Sequence, residues 1–225
     1  MDKNERNQVA QGEVHLVKRV AGYKKIRYYT HENVGFGNVN LPDQEMHTTS
    51  VWWQVSSQEL DQRFASRWLA LDGFLGAAYA MHHVAALNCM CEARDVGRAV
   101  GNGDAEWFAA VGSNGRGGIK AFNGDNVDVD AARFNPTLFL YDNFPGGLGI
   151  SSGLYEQRNI IIEKSLALVG QCNCDVGCPA CIGPILPSKD EREYSPKSVA
   201  LEVLNLLSAQ EKTHESTETT LNTTA

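Results

Sequence analysis

Cysteine is concentrated in one short stretch of this chain. The segment Cys172-Asn173-Cys174-Asp175-Val176-Gly177-Cys178-Pro179-Ala180-Cys181 places four thiols within ten residues, spaced C-x-C-x3-C-x2-C. Zinc takes four thiolates at tetrahedral corners, with Zn–S about 2.3 Å. A loop this short can supply all four only if its backbone turns sharply, and Gly177 and Pro179 suit that. A closed shell of Cys172, Cys174, Cys178 and Cys181 leaves no position for water, so the ion would be structural. Three other readings stand beside zinc: unligated thiols, an iron–sulfur cluster, which also uses Cys-Pro steps, and a redox pair at Cys178-Pro179-Ala180-Cys181. Packing alone rarely calls for so many thiols together, and two further cysteines crowd the pair, so zinc is the preferred ligand. An iron–sulfur redox or sensing protein built on the same residues is the alternative function.

Other groups with chemical potential have plainer explanations. Cys89 and Cys91 fit as small buried apolar residues, with a second metal pair as the alternative. His82 and His83 sit inside an apolar helix, where a hydrogen-bonded core histidine is the expected case; a hydrolase using one of them is a third function class. Pro145-Gly146-Gly147-Leu148-Gly149, between a strand and a helix, has the geometry of an anion site but lacks the Gly-Lys-Ser/Thr ending of a Walker A loop, so it reads as a tight turn. Gly22–Tyr29 interleaves cations and aromatics, and Lys24, Lys25 and Arg27 are candidate nucleic-acid contacts against the simpler reading of a solvated strand face. No Ser-His-Asp, HExxH or paired-carboxylate signature is present, so the chain offers no catalytic constellation.

These candidates need elements to hold them. The 225 residues are 43% apolar and 21% charged, enough to pack one domain with tails. A net charge of −7 argues against whole-surface attraction to nucleic acid. Residues 1–31 run the other way, with Lys3, Arg6, Lys18, Arg19, Lys24, Lys25 and Arg27 against Asp2, Glu5 and Glu13. No apolar run is long enough for a membrane span, and the polar N-terminus lacks an export signal, so a reducing, cytoplasmic setting without membrane contact is expected. Partial alternation over Gly12–Tyr29 predicts one or two strands broken near Gly22, residues 31–50 a turn region, and Thr49–Val55 a short strand. Leu60, Phe64, Trp68, Leu71, Leu75, Ala78 and His82 recur at helical spacing, and Phe74–Met90 is apolar on most sides. Gly73 and Gly76 either divide this segment or admit another backbone. Glu106–Val111 and Ile119–Phe122 are expected as paired strands, Pro136–Asp142 as a buried strand, and Ser151–Val169 as a helix. A last helix starts at Ser195-Pro196, with serine as N-cap and proline in the first turn.

The expected fold is α+β: a mostly antiparallel sheet packed with three or four helices, closed near its C-terminus by a zinc knuckle. The expected divisions are 1–11 as a flexible N-terminus, 12–208 as the folded domain and 209–225 as a disordered tail rich in Ser, Thr and Glu.

Leu138–Asp142, the Pro145–Gly149 turn, a helix, Cys172–Pro184 and a final helix together resemble the MrfA-type zinc-binding domain, found at the C-terminus of superfamily 2 DEAD/DEAH-box helicases. Cys91–Gly97, Gly12–Val14 and Gly22–Lys25 add to the resemblance, which covers roughly residues 12–208. It implies Zn2+ held by Cys172, Cys174, Cys178 and Cys181, and a non-catalytic module of an ATP-dependent helicase motor, in cis or in trans. It also implies DNA reached through that partner, in DNA repair or phage defence. Walker A, DEAD/DEAH and arginine-finger motifs are missing, so this chain is not expected to hydrolyse ATP by itself. The resemblance leaves it a piece of a split helicase, a truncated product or a stand-alone relative.

Overall fold

The computed structural model describes residues 8–20, 22–27, 33–104, 106–111, 117–121, 125–130, 133–183 and 194–223. Its strands are β1 (Gln8–Lys18), β2 (Gly22–Ile26), β3 (Asn33–Asn38), β4 (Gln44–Gln54), β5 (Val96–Asn102), β6 (Trp107–Val111), β7 (Gly117–Ala121), β8 (Asn126–Val127) and β9 (Pro136–Asp142). Its helices are α1 (Ser57–Arg63), α2 (Arg67–Asn88), α3 (Ile150–Glu156), α4 (Arg158–Gly170) and α5 (Pro196–Thr223). Seven strands form one antiparallel sheet in the order β1-β4-β9-β5-β6-β7-β8. β2 and β3 form a separate ribbon inserted between β1 and β4. The α+β class and the mostly antiparallel sheet are as the sequence predicts, with five helices rather than three or four.

β9 lies between β4 and β5, and six of its seven residues are buried, which suits the near-continuous apolar run PTLFLYD. Val51, Trp53, Leu138, Leu140, Val96 and Val100 line the face that meets the helices. Against them lies α2, capped by the Ser66 hydroxyl, which accepts from the Leu69 amide. Leu71, Phe74 and Met81 on α2 are fully buried, each worth roughly 1.5–3 kcal/mol of apolar transfer. The helical segment divides at Phe64–Ser66 and runs unbroken through Gly73 and Gly76. Those glycines admit α5: a Cβ on Gly73 would stand 2.7 Å from the Val199 carbonyl oxygen, and one on Gly76 2.9 Å from Ala200 Cβ.

Several boundaries differ from expectation for visible reasons. β1 begins at Gln8 because Val9 is buried opposite Trp53. α5 passes residue 208 because Gln210 and Glu211 are buried beyond it. The expected helix over Ser151–Val169 is two, joined at Gln157, whose side-chain oxygen accepts from the Asn88 amide. β3 occupies part of a predicted turn region, and β5 has no counterpart in the sequence reading. Among the described residues, no helix is long and apolar enough to cross a membrane.

Candidate metal centre

α4 ends at Gly170, α5 begins at Pro196, and the four cysteines lie between them. Gly177 takes φ +113°, a conformation open to glycine that lets the chain reverse between Cys174 and Cys178. The Cys181 amide donates to the Cys178 carbonyl at 3.1 Å, and the Cys178 amide donates to the Cys181 sulfur at 3.3 Å. Sulfur–sulfur distances are 3.6 Å for Cys172–Cys178, 3.6 Å for Cys174–Cys181 and 3.7 Å for Cys178–Cys181. All four sulfurs lie within 4.8 Å of one another. A tetrahedron with a metal–sulfur bond of 2.3 Å has edges of about 3.8 Å, so these separations fit one zinc ion. A [4Fe–4S] cluster would seat each sulfur on its own iron and a [2Fe–2S] cluster two sulfurs on each, so either would hold the set of four farther apart. The structure thus brings together the four cysteines that the sequence singles out.

The loop is fastened on both sides. Cys181 is 1% exposed and joins the hydrophobic core, while Cys172, Cys174 and Cys178 pack against it half-buried. The Lys197 ammonium donates to the carbonyls of Cys172 at 2.6 Å and Cys174 at 2.9 Å, and the Ser195 hydroxyl donates to the Asp175 carbonyl at 3.2 Å. Sequence reasoning missed Lys197, although a signal exists: a cation in the first turn of a helix opposes the dipole and calls for local compensation. Four thiolates around Zn2+ carry a net charge of about −2, which this ammonium offsets in part.

The thiols differ in acidity. The Ala180 amide donates toward the Cys178 sulfur and brings that thiol down to about 7. Burial pushes Cys181 up to about 12 and also raises Cys174. Zinc requires thiolates, so binding at neutral pH displaces the protons of Cys174 and Cys181 and part of that on Cys178. The protonated form is the metal-free form, so lowering the pH favours release. Two or more protons released per ion imply a fall in apparent zinc affinity of about 100-fold or more from pH 7 to pH 6. Competition against a chromophoric chelator measures this; a change of tenfold or less would show that these thiols are already ionised.

The other candidates resolve by geometry. Asp142, fully buried at the end of β9, accepts from the amides of Leu148 at 2.7 Å, Ile150 at 3.1 Å and Ser151 at 2.9 Å. Its carboxylate fills the start of α3 where an external anion would sit, so Pro145–Gly149 is the tight turn. His82 is buried, and its Nε2 lies 2.9 Å from the Ala93 carbonyl and 2.8 Å from the Val96 carbonyl. Carbonyls only accept, so Nε2 carries the proton and His82 is a satisfied core histidine. Cys89 and Cys91 pack half-buried beside the core, away from the metal ligands. Lys24 and Lys25 lie on β2, and Lys25 and Arg27 are exposed. Tyr28 and Tyr29, named with them, fall outside the described residues. The metal ligands and this ribbon are separate features of the fold.

Comparison with known proteins follows these features. Residues 77–182, from within α2 to the end of the cysteine loop, match the family model described as the MrfA Zn-binding domain. The chain is 30% identical over 163 residues to an uncharacterised ATP-dependent helicase, YprA, of Bacillus subtilis, covering 72% of this chain and 18% of the helicase. It is 44% identical over 45 residues to the uncharacterised protein MJ1572.1 of Methanocaldococcus jannaschii, covering 20% of this chain and 40% of that protein. The fold is similar to a crystal structure of the DUF1998 helicase MrfA bound to DNA, with TM-score 0.57 and 26% identity, over 92% of this chain and 23% of that one. The chain thus spans a minor part of each relative.

Proposed function

Because the chain carries an MrfA Zn-binding domain over residues 77–182, we propose that it is a non-catalytic, zinc-stabilised module of an ATP-dependent superfamily 2 helicase. It supports DNA binding and processing, in cis or in trans, in DNA repair or phage defence within the cytoplasm. The observation that carries this reading is the four-sulfur cluster with tetrahedral separations, set in a fold similar to part of a DNA-bound helicase. The chain's own sequence contains no Walker A loop or DEAD/DEAH box, so ATP-driven movement falls to the motor.

Contact with DNA is assigned to the β2–β3 ribbon. Lys24 pairs with Phe36 and Lys25 with Gly35 in its register. Tyr23 and Phe36 are 48% and 67% exposed, too open for core residues, and Lys25 lies over the Tyr23 ring at 5.9 Å. Cations beside exposed aromatics suit a phosphate backbone with unstacked bases. The test is anisotropy with a labelled single-stranded oligonucleotide across about 0.05–0.2 M salt. Changing Lys24, Lys25 and Arg27 to Ala is expected to flatten the log–log salt slope by about two to three. An unchanged slope removes the ribbon from the DNA interface.

A further inference from the structure

Most arginines of the described residues are neutralised at short range. Arg19, Arg63, Arg67, Arg94, Arg133 and Arg158 each face a carboxylate within 4.0 Å. Arg98 does not. It projects from β5 toward α2, is exposed, and has no carboxylate partner among the described residues. Its Nη1 donates to His82 Nδ1 at 3.2 Å, and its guanidinium lies 5.0 Å over the Tyr79 ring. The His82 ring cannot turn away, because its Nε2–H is fixed between the carbonyls of Ala93 and Val96. One edge and one face of the guanidinium are therefore held, while the residue as a whole stays exposed.

The neighbours support an anion there. His83 stands 4.5 Å from the Tyr79 ring, and burial, His82 and Arg98 together push its pKa down, so it adds a neutral donor or acceptor rather than a second cation. Tyr79 also lies against Gly183, where a Cβ would stand 2.7 Å from the ring, joining this cluster to the end of the cysteine loop. A planar fork held at one edge suits two hydrogen bonds to an oxyanion. The half-buried Tyr79 and His83 rings beside it, tilted 55° to each other, add uncharged aromatic surface that suits an adjacent base better than an acidic protein side chain.

We infer that Arg98, clamped by His82 and Tyr79 between α2 and β5, is a phosphate-binding site for a nucleic-acid backbone. The site stands on this geometry; only the source of the phosphate rests on the DNA reading above. In the full zinc-loaded chain, Arg98→Ala is expected to weaken binding of a labelled oligonucleotide about tenfold and to reduce its salt slope by about one, with zinc content and melting unchanged. Arg98→Lys keeps the charge but not the fork and should recover only part of the loss. Inorganic phosphate and AMP, titrated calorimetrically, separate the sources: saturation by either as tightly as by the oligonucleotide overturns the backbone assignment. Wild-type binding by Arg98→Ala overturns the site, as does an oligonucleotide that fails to bind the wild-type chain. If Arg98→Ala unfolds, Arg98→Lys and Arg98→Gln are read instead, and wild-type binding by both overturns it. The ribbon variant in the same assay keeps the readings apart. A flattened slope there with Arg98→Ala unaffected sinks this site alone; the reverse supports this site while removing the ribbon.

Discussion

Stripping zinc from the purified chain is expected to abolish its cooperative thermal transition. The cysteine loop is polar, and apart from its cysteines little of it packs on the core. Without an ion, four sulfurs lie 3.6–4.8 Å apart with no attraction to hold them there. Ionised, they repel; protonated, Cys181 remains a buried thiol whose partners gain nothing by converging. Structural zinc in peptide sites contributes about 10–16 kcal/mol, comparable with the whole stability of an ordinary domain at about 5–15 kcal/mol. The loop joins α4 to α5, and both pack on α2, so its release loosens the helical layer as well as the site. Metal analysis should give about one zinc per chain in a colourless preparation. Cys181→Ser should be the most damaging single ligand change, because it leaves the remaining thiolates unpaired and puts a poorer ligand into the core. A chelated protein that melts like the untreated one would remove the structural role of the metal.

How far the sequence reveals this fold depends on where each residue's partners lie. Cys172–Cys181 was legible because four ligands of one ion fall in one short segment, so spacing alone carries the geometry. Pro136–Asp142 was legible because a strand in the middle of a covered sheet must be apolar throughout. β5 was not: Gly97 and Gly101 break the pattern, and their reason is remote, since the Tyr141 ring lies over Gly97 and the Trp107 carbonyl approaches Gly101. β3 was lost the same way, because Gly35 and Gly37 read as turn residues while the second lies beneath the Tyr23 ring. Asp142 gave a subtler signal. A lone carboxylate ending an apolar strand needs donors, and the following glycine turn and the start of α3 supply three amides. Arg98 shows the limit, because its significance lies in which of its neighbours carry no negative charge.

Glu211 tests whether the far end of α5 holds the domain together. Its carboxylate is 2% exposed and serves two partners at once. The Trp53 indole N–H donates to Oε1 at 2.8 Å, and Arg158 Nε donates to Oε2 at 2.8 Å. Arg158 also stacks on Tyr155 and donates to its carbonyl, and Gln210 donates to the Gln54 carbonyl at 3.0 Å. Glu211→Ala would leave a nearly buried guanidinium without its counter-charge and a fully buried indole N–H without its acceptor. Breaking a buried pair from one side costs about 3–5 kcal/mol, which for a domain of this size lowers the melting temperature by about 6–20 °C. Replacing both charges, in Arg158→Met with Glu211→Leu, removes the stranded charge and should recover much of that loss. Because Lys197 at the other end of α5 holds the carbonyls of Cys172 and Cys174, the helix ties the metal loop to the sheet. Glu211→Ala should therefore keep its zinc at low temperature and lose it together with tertiary structure on melting. Zinc loss well before unfolding would make the loop a separately stable unit, and a melting temperature unchanged by Glu211→Ala would free the end of α5 from any part in the core.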